Sequence, residues 1–120
     1  MTDVPTDITL HQKSGVLEVV YSDGAMYNLP LEYLRVYSPS AEVRGHGGPM
    51  KLVTGKKDIG VEKIEPVGNY AIQLFFDDGH NTGIFSWETL RELGADYERN
   101  WQAYLARLDE AGASRERQWH

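Results

Sequence analysis

Apolar residues in this chain come in short runs, each cut off by glycine, proline or aspartate. VLEVVY at 16–21 and AIQLFF at 71–76 are dense in β-branched and aromatic residues, the composition of a strand packed on a core. Asp23-Gly24 follows the first run and Asp78-Gly79 follows the second. Each pair predicts a two-residue type I′ hairpin, whose central positions both need positive φ, which Asp-Gly tolerates. AMYNL at 25–29 and NTGIF at 81–85 are then the return strands. ITLH at 8–11 and IEPV at 64–67 predict a further strand ahead of each hairpin. Lys13, Ser14 and Gly15 punctuate the first of these and Gly68-Asn69 the second.

Helical signals follow each return strand. Pro30 opens LEYLRV, with proline in the first turn. Ser86 is an N-cap for SWETLREL, and Gly94 reads as that helix's C-terminal stop. Asp96 is positioned to cap a last helix ending near Ala111. In it Tyr97, Trp101, Tyr104, Leu105 and Leu108 recur at spacings of three and four, one apolar stripe for the core.

The two halves align. Asp23-Gly24 lies 55 positions before Asp78-Gly79, and Leu34-Arg35 lies 56 before Leu90-Arg91. The chain therefore predicts an α+β fold. Two β-β-β-α-like units of short antiparallel strands share one core, with a long central loop and a C-terminal helix. Residues 1–111 form one domain on this reading, and 112–120 a flexible tail. From Tyr37 to Gly60 the pattern lapses, apart from KLVTG at 51–55, a candidate short strand. A loop of that length inside a compact domain points to function.

Composition narrows the chemistry. There is no cysteine, so disulfides, thiolate nucleophiles and Cys-type zinc ligation are excluded for the isolated chain. A cytoplasmic setting fits that composition. The opening MTDVPTDITL lacks the basic and apolar regions of a signal peptide, and no apolar run approaches the roughly 18 residues of a membrane helix. The expectation is a chain without membrane contact. A formal charge of −6 disfavours nucleic acid as a partner. The charge is uneven, however. From Arg35 to Lys63 six basic residues stand among three acids, so that segment carries +3 and the remainder −9. It is either a solvated loop surface or a patch for an anion or an acidic partner.

Candidate site residues cluster in two places. The stretch YSPSAEVRGHG supplies Tyr37, Ser38, Ser40, Glu42, Arg44 and His46, just after Arg35. The second Asp-Gly turn supplies Asp77 and His80, which face one another in a two-residue hairpin. A carboxylate beside an imidazole raises its basicity and fixes its tautomer, useful in a base or a metal ligand. Asp77 and Asp78 are consecutive in a strand, so their side chains diverge and do not share one substrate atom. Asp78 reads as a turn former. GHGG at 45–48 is not a phosphate loop, since no Gly-Lys-Ser/Thr follows it. Tyr70 and Trp87 read as packing residues.

LRVYSPSAEVRGHG and VGNYAIQLFFDDGHNTGIFSWETLREL together resemble the gamma-butyrobetaine hydroxylase-like N-terminal domain family, over about residues 5–95. Members occur alone in bacteria, ahead of 2-oxoglutarate-dependent oxygenases, and attached to iron–sulfur carrier ATPases. The resemblance implies a mixed α/β domain with its loop packed near His80. In the oxygenases the domain binds zinc through three cysteines after Leu-Arg and a histidine in Asp-Gly-His. The matching positions here are Ser38, Ser40, Val43 and His80, so three ligands are missing and no zinc is expected. The oxygenase's own catalytic residues have no counterpart in the chain. The family's use as an appendage of unrelated enzymes, together with the locally basic loop, leads to the expectation of a noncatalytic adaptor for a protein partner, linked to metalloenzyme or iron–sulfur assembly, with no cofactor. The alternatives are a small metal-dependent or acid–base enzyme using His80, the metal version holding zinc or iron by His46, His80 and Glu42 or Asp77, and an anion sensor using Arg35, Arg44 and Lys51.

Overall fold

Two three-stranded antiparallel sheets, each leading into a helix, carry most of the chain. The computed structural model describes residues 4–38, 52–79 and 83–116. The first unit comprises β1 (Pro5–His11), β2 (Val16–Tyr21), β3 (Met26–Pro30) and α1 (Leu31–Val36). The second comprises β4 (Val61–Val67), β5 (Ala71–Phe76), β6 (Gly83–Ser86) and α2 (Trp87–Ala95), and α3 (Tyr97–Ala111) follows. Strand order is β1-β2-β3 and β4-β5-β6, so each sheet is a meander. The α+β fold of two β-β-β-α units is therefore the observed one.

The repeat extends to irregularities. Leu17 pairs with Leu29 in the first sheet, and Ile72 with Phe85 in the second. The register slips between Pro5 and Asp7 in β1 and between Val61 and Lys63 in β4, at matching positions. Bulges of this kind bend and twist a strand locally. One face of each sheet supplies the core. Leu17, Val19, Tyr21 and Leu29 meet Ile72, Leu74, Phe76 and Phe85, with Leu31, Tyr33, Leu34, Leu90 and Leu93 from the helices.

The hairpin turns differ from the type I′ expectation. Tyr21 N–H donates to the Ala25 carbonyl (2.8 Å) and Gly24 N–H to the Tyr21 carbonyl (3.0 Å), so residues 22–24 form a three-residue loop. Gly79 N–H likewise returns to the Phe76 carbonyl at 3.2 Å. Positive φ falls on Gly24 (94°) and Gly79 (89°), and among the described residues no non-glycine has it. A three-residue loop needs a left-handed residue only at its end, which leaves each aspartate in ordinary backbone.

The helix ends also differ. Ser86 caps α2 as expected, accepting from Thr89 N–H at 3.1 Å. Gly94, however, does not stop the helix, which runs on to Ala95. A Cβ at Gly94 would collide with the Tyr27 ring, so glycine there allows α2 to lie against β3. Asp96 holds the N-cap position of α3 without a side-chain cap and pairs with Arg99 at 3.0 Å instead. α3 buries Tyr104 and Leu108 against Val36, with Leu52 and Val53 packed alongside. Of KLVTG, residues 52–55 are not a strand. Val53 is held by its carbonyl, which accepts from the Tyr104 hydroxyl at 2.7 Å. Tyr70 is exposed rather than packed in the core.

Residues beyond α3 fold back along the central segment. Gly55 N–H donates to the Ser114 carbonyl and Lys57 N–H to the Arg115 carbonyl, both at 3.0 Å. Lys57 Nζ meets Glu116 Oε1 at 2.9 Å. Arg115 grips both carboxylate oxygens of Glu32, at 2.7–3.1 Å. The start of the expected tail, through Glu116, is thus engaged, and 117–120 lie outside the described residues.

Candidate functional site

Each Asp-Gly turn forms a corner that is met by the helix of the other unit. Arg35 of α1 donates from Nε to Asp78 Oδ2 at 2.8 Å, and Arg91 of α2 donates from Nη2 to Asp23 Oδ2 at 2.6 Å. The corners are internal counterparts but not equals. The Arg91–Asp23 pair is open to solvent, with side chains 33% and 43% exposed. There the Arg91 guanidinium holds the Asp23 carboxyl below the usual carboxylate range, helped by the Ala25 N–H.

The Arg35–Asp78 pair is enclosed, at 12% and 17% exposure. Lys56 adds a second cation, its Nζ 2.7 Å from the same Asp78 Oδ2. Arg35 Nη1 is buried and has no hydrogen-bond partner, alone among the buried side-chain polar atoms of the described residues. Beside these groups lies a cavity of about 400 Å³ lined by Thr54, Gly55, Lys56, Asp58, Ile59, Asp77 and Asp78. Its wall is the 52–60 segment, which has no counterpart in the first unit. Backbone ties fix that wall to the second hairpin. Asp77 N–H donates to the Gly60 carbonyl (2.9 Å), and Gly60 N–H donates to Asp77 Oδ2 (3.0 Å).

Of the candidate residues read from sequence, Arg35, Tyr37, Ser38 and Asp77 are described. Ser40, Glu42, Arg44, His46 and His80 lie outside the described residues, as does Val43. Asp77, in the turn after β5, lines the cavity, and Arg35 of α1 bonds Asp78, which also lines it. Tyr37 faces elsewhere: its hydroxyl donates to the Asn100 carbonyl at 2.8 Å, and its ring packs on Tyr33. Burial pushes the Tyr37 hydroxyl pKa up. Ser38 is fully buried, and a Cβ on Gly83 would come within 3.0 Å of its Oγ. Ser38, just after α1, thus lies against Gly83 at the start of β6.

The donors at that position do not fit a cysteine-type zinc centre. Ser38 offers a neutral hydroxyl, a poor zinc ligand, and the chain has no thiolate to join it. Among the described residues no three histidine, aspartate or glutamate side chains come together in a way that could hold a metal.

The described cations of the basic segment are all paired. Arg35 and Lys56 share Asp78, Lys57 takes Glu116, and Lys63 takes Glu65 at 2.8 Å. Four described cations thus meet three carboxylates, and the surplus lies at Asp78. Lys56, Asp58 and Thr54 were not singled out from sequence, and Asp78 was read as a turn former only. The matched offsets of Asp23/Asp78 and Arg35/Arg91 were the available signal.

Comparison with known proteins follows this geometry. Residues 8–91 match the family model described as gamma-butyrobetaine hydroxylase-like, N-terminal. A protein with an NMR solution structure is 45% identical, with a TM-score of 0.85, covering 100% of this chain and 95% of that one. A second NMR solution structure is 47% identical, with a TM-score of 0.84 over 99% of this chain and 94% of that one. A crystal structure of a protein of unknown function from Acidithiobacillus ferrooxidans, of the DUF971 family, is 46% identical. Its TM-score is 0.65, covering 76% of this chain and 92% of that one. No curated protein matches the chain.

Proposed function

The chain belongs to the gamma-butyrobetaine hydroxylase-like, N-terminal family, and from that premise we propose that it is a noncatalytic binding module for a protein partner. The observation that carries the reading is the commitment of the second turn's carboxylates. Asp77 is tied to Gly60 N–H, and Asp78 is tied to Arg35 and Lys56. A general base must be free to reach a substrate proton, and these two hold the fold instead. What the corner offers is a recess with fixed walls, which suits docking.

The partner class we favour, from the family resemblance, is a metalloenzyme or iron–sulfur assembly protein of the cytoplasm. Thr54 lines the cavity and takes part in none of the described ion pairs, so Thr54→Trp is a substitution aimed at occupying it. The expected result is a protein retained from native lysate by the wild-type chain and lost on Thr54→Trp at unchanged melting temperature. Its purified form should then bind the wild type with the same dependence. Equal retention by both chains, or no retained protein, would remove the reading.

A further inference from the structure

We propose that β1 is a docking edge for a second copy of this chain, the two β1 strands pairing antiparallel about Thr9 so that Asp7 of each copy faces His11 of the other. The surface is separate from the recess, since no β1 residue lines it. β1 ends its sheet, and among the described residues no strand pairs with its outer edge. Backbone groups alternate sides along a strand, so the free ones can be named. Tyr21 N–H donates to the Ala25 carbonyl at 2.8 Å. Tyr21, Val19 and Leu17 therefore face β3, and Val20, Glu18 and Val16 face β1. Their register partners are Asp7, Thr9 and His11. The His11 carbonyl, which accepts from Gly15 N–H at 2.9 Å, points the same way. Ile8 and Leu10 thus turn both backbone groups outward, with no strand to take them. An edge of this kind is a template for another strand.

That alternation restricts self-pairing. Outward groups must meet outward groups, so a two-fold axis falls at a residue and not between two. Centring on Ile8 runs the pairing into the register slip between Pro5 and Asp7. Centring on Leu10 runs it into the 12–15 turn. Centring on Thr9 sets Ile8 opposite Leu10 on both sides of the axis, where each pair exchanges N–H to carbonyl bonds. The side chains agree with that choice. Asp7, Thr9 and His11 are exposed, and Asp7 takes part in none of the described ion pairs. Across the axis it meets His11, which already pairs with Glu18 at 3.0 Å. Ile8 and Leu10, half-buried at the rim of the core, cover one another on the opposite face.

The second sheet is the internal control. Ile64 and Pro66 are the counterparts of Ile8 and Leu10, 56 positions on. Tyr70 N–H donates to the Val67 carbonyl at 3.4 Å, so Val67, Glu65 and Lys63 face β5, and Ile64 and Pro66 face outward. Proline has no N–H to give, and it is one of the residues that keep a sheet edge from pairing. Pairing about Glu65 would also set that residue against its own copy, like charges directly opposite. Lys63 and Glu65 pair with each other instead, at 2.8 Å. The edge with complementary charges is the one that keeps both outward N–H groups.

Sedimentation velocity of the untagged full chain tests this, together with isotope-filtered NMR of a mixed-labelled sample. The interface is small, so the wild type should associate reversibly between micromolar and millimolar concentration. NOEs between copies should link Ile8 to Leu10. Leu10→Pro, which copies Pro66, should stay monomeric with the amide shifts of β2 and β3 in place. Asp7→Lys and His11→Glu should each weaken association by about tenfold, since each removes two opposite-charge pairs at once. Mixed together, the two variants should associate about as tightly as the wild type, because the introduced charges are opposite and face one another in the mixed dimer. That rescue separates complementarity at the edge from damage to the fold. A wild type that stays monomeric at millimolar concentration overturns the proposal. So do NOEs that place the contact on another surface, or a mixture that associates no more tightly than either variant alone.

Discussion

Arg35 in the helix of the first unit bonds Asp78 in the hairpin of the second, at 2.8 Å. Because Arg91 and Asp23 repeat the contact in the other direction, the two units are joined by a reciprocal pair of ion pairs. Tyrosines reinforce the exchange. Tyr21 donates to the Trp87 carbonyl and Tyr33 to the Leu93 carbonyl, each across units at 2.7 Å. Neither unit closes its own corner, so the shared core and both corners depend on the two halves docking together.

The two corners should respond unequally to the same chemical change. Asp78→Asn leaves Arg35 and Lys56 side by side without their shared carboxylate, and should cost part of the about 3–5 kcal/mol that breaking a fully buried pair costs. Asp23→Asn removes a solvent-screened contact and should cost clearly less. Urea unfolding of the two variants measures the difference. Equal losses would mean that the enclosure of the second corner has no energetic weight.

Gly94→Ala should destabilise the protein, against the usual trend inside helices. Alanine normally gains about 1 kcal/mol over glycine in a helix interior. Here its Cβ would meet the Tyr27 ring, and overpacking costs about 1–3 kcal/mol. Tyr27→Ala removes the two nearest of the clashing atoms, so Gly94→Ala should cost less in that background than in the wild type. Thermal unfolding of the single and double variants decides it, and a neutral or stabilising Gly94→Ala would show that α2 can move away from β3.

The elements themselves were legible in the sequence because their causes are local. β-Branched runs, Asp-Gly turns and the Ser86 cap act within a few residues, and the offsets of 55 and 56 exposed the repeat. What was not legible depends on distant partners. A repeat alignment states that Arg35 corresponds to Arg91, but not that each reaches the other unit's turn. Gly94 reads as a stop until Tyr27 is placed against it. Glu32 looks like an ordinary helix-surface acid, and its burial makes sense only with Arg115, 83 residues away. Lys56 joined the site because a non-repeating segment runs past the second turn, and no periodicity announces such a path.

Alkaline pH should weaken the fold through buried tyrosines. Burial pushes the Tyr33 and Tyr104 hydroxyls up to about 12. An unfolded tyrosine ionises near pH 10, so between about pH 10 and pH 12 the unfolded chain releases protons that the folded one retains. The contribution is therefore complete below about pH 10 and is lost as pH rises through the folded values. Urea midpoints measured across that range should fall, and Tyr104→Phe should flatten the fall. An unchanged slope in the variant would mean that Tyr104 does not couple to folding.

The contact between Arg115 and Glu32 should control the wall of the cavity. Glu32 is only 6% exposed, and Arg115 binds it through two nitrogens while lying over the Trp101 ring at 5.1 Å. The Glu32 carboxylate raises the pKa of Arg115, so the guanidinium stays charged at any ordinary pH. Arg115→Ala leaves a buried carboxylate unsatisfied, a loss of about 1–3 kcal/mol. It also frees residues 114–116, whose carbonyls accept from Gly55 and Lys57 N–H. Amide exchange at Gly55 and Lys57 should therefore accelerate in Arg115→Ala by more than the global loss of stability explains. Exchange at Leu17 and Leu74, in the sheet interiors, should follow the global change alone. Glu32→Gln keeps the shape of the side chain but halves the grip, so it should give an intermediate effect at the same two amides. Uniform acceleration across all four amides would show that the C-terminal segment supports the whole fold rather than the cavity wall in particular.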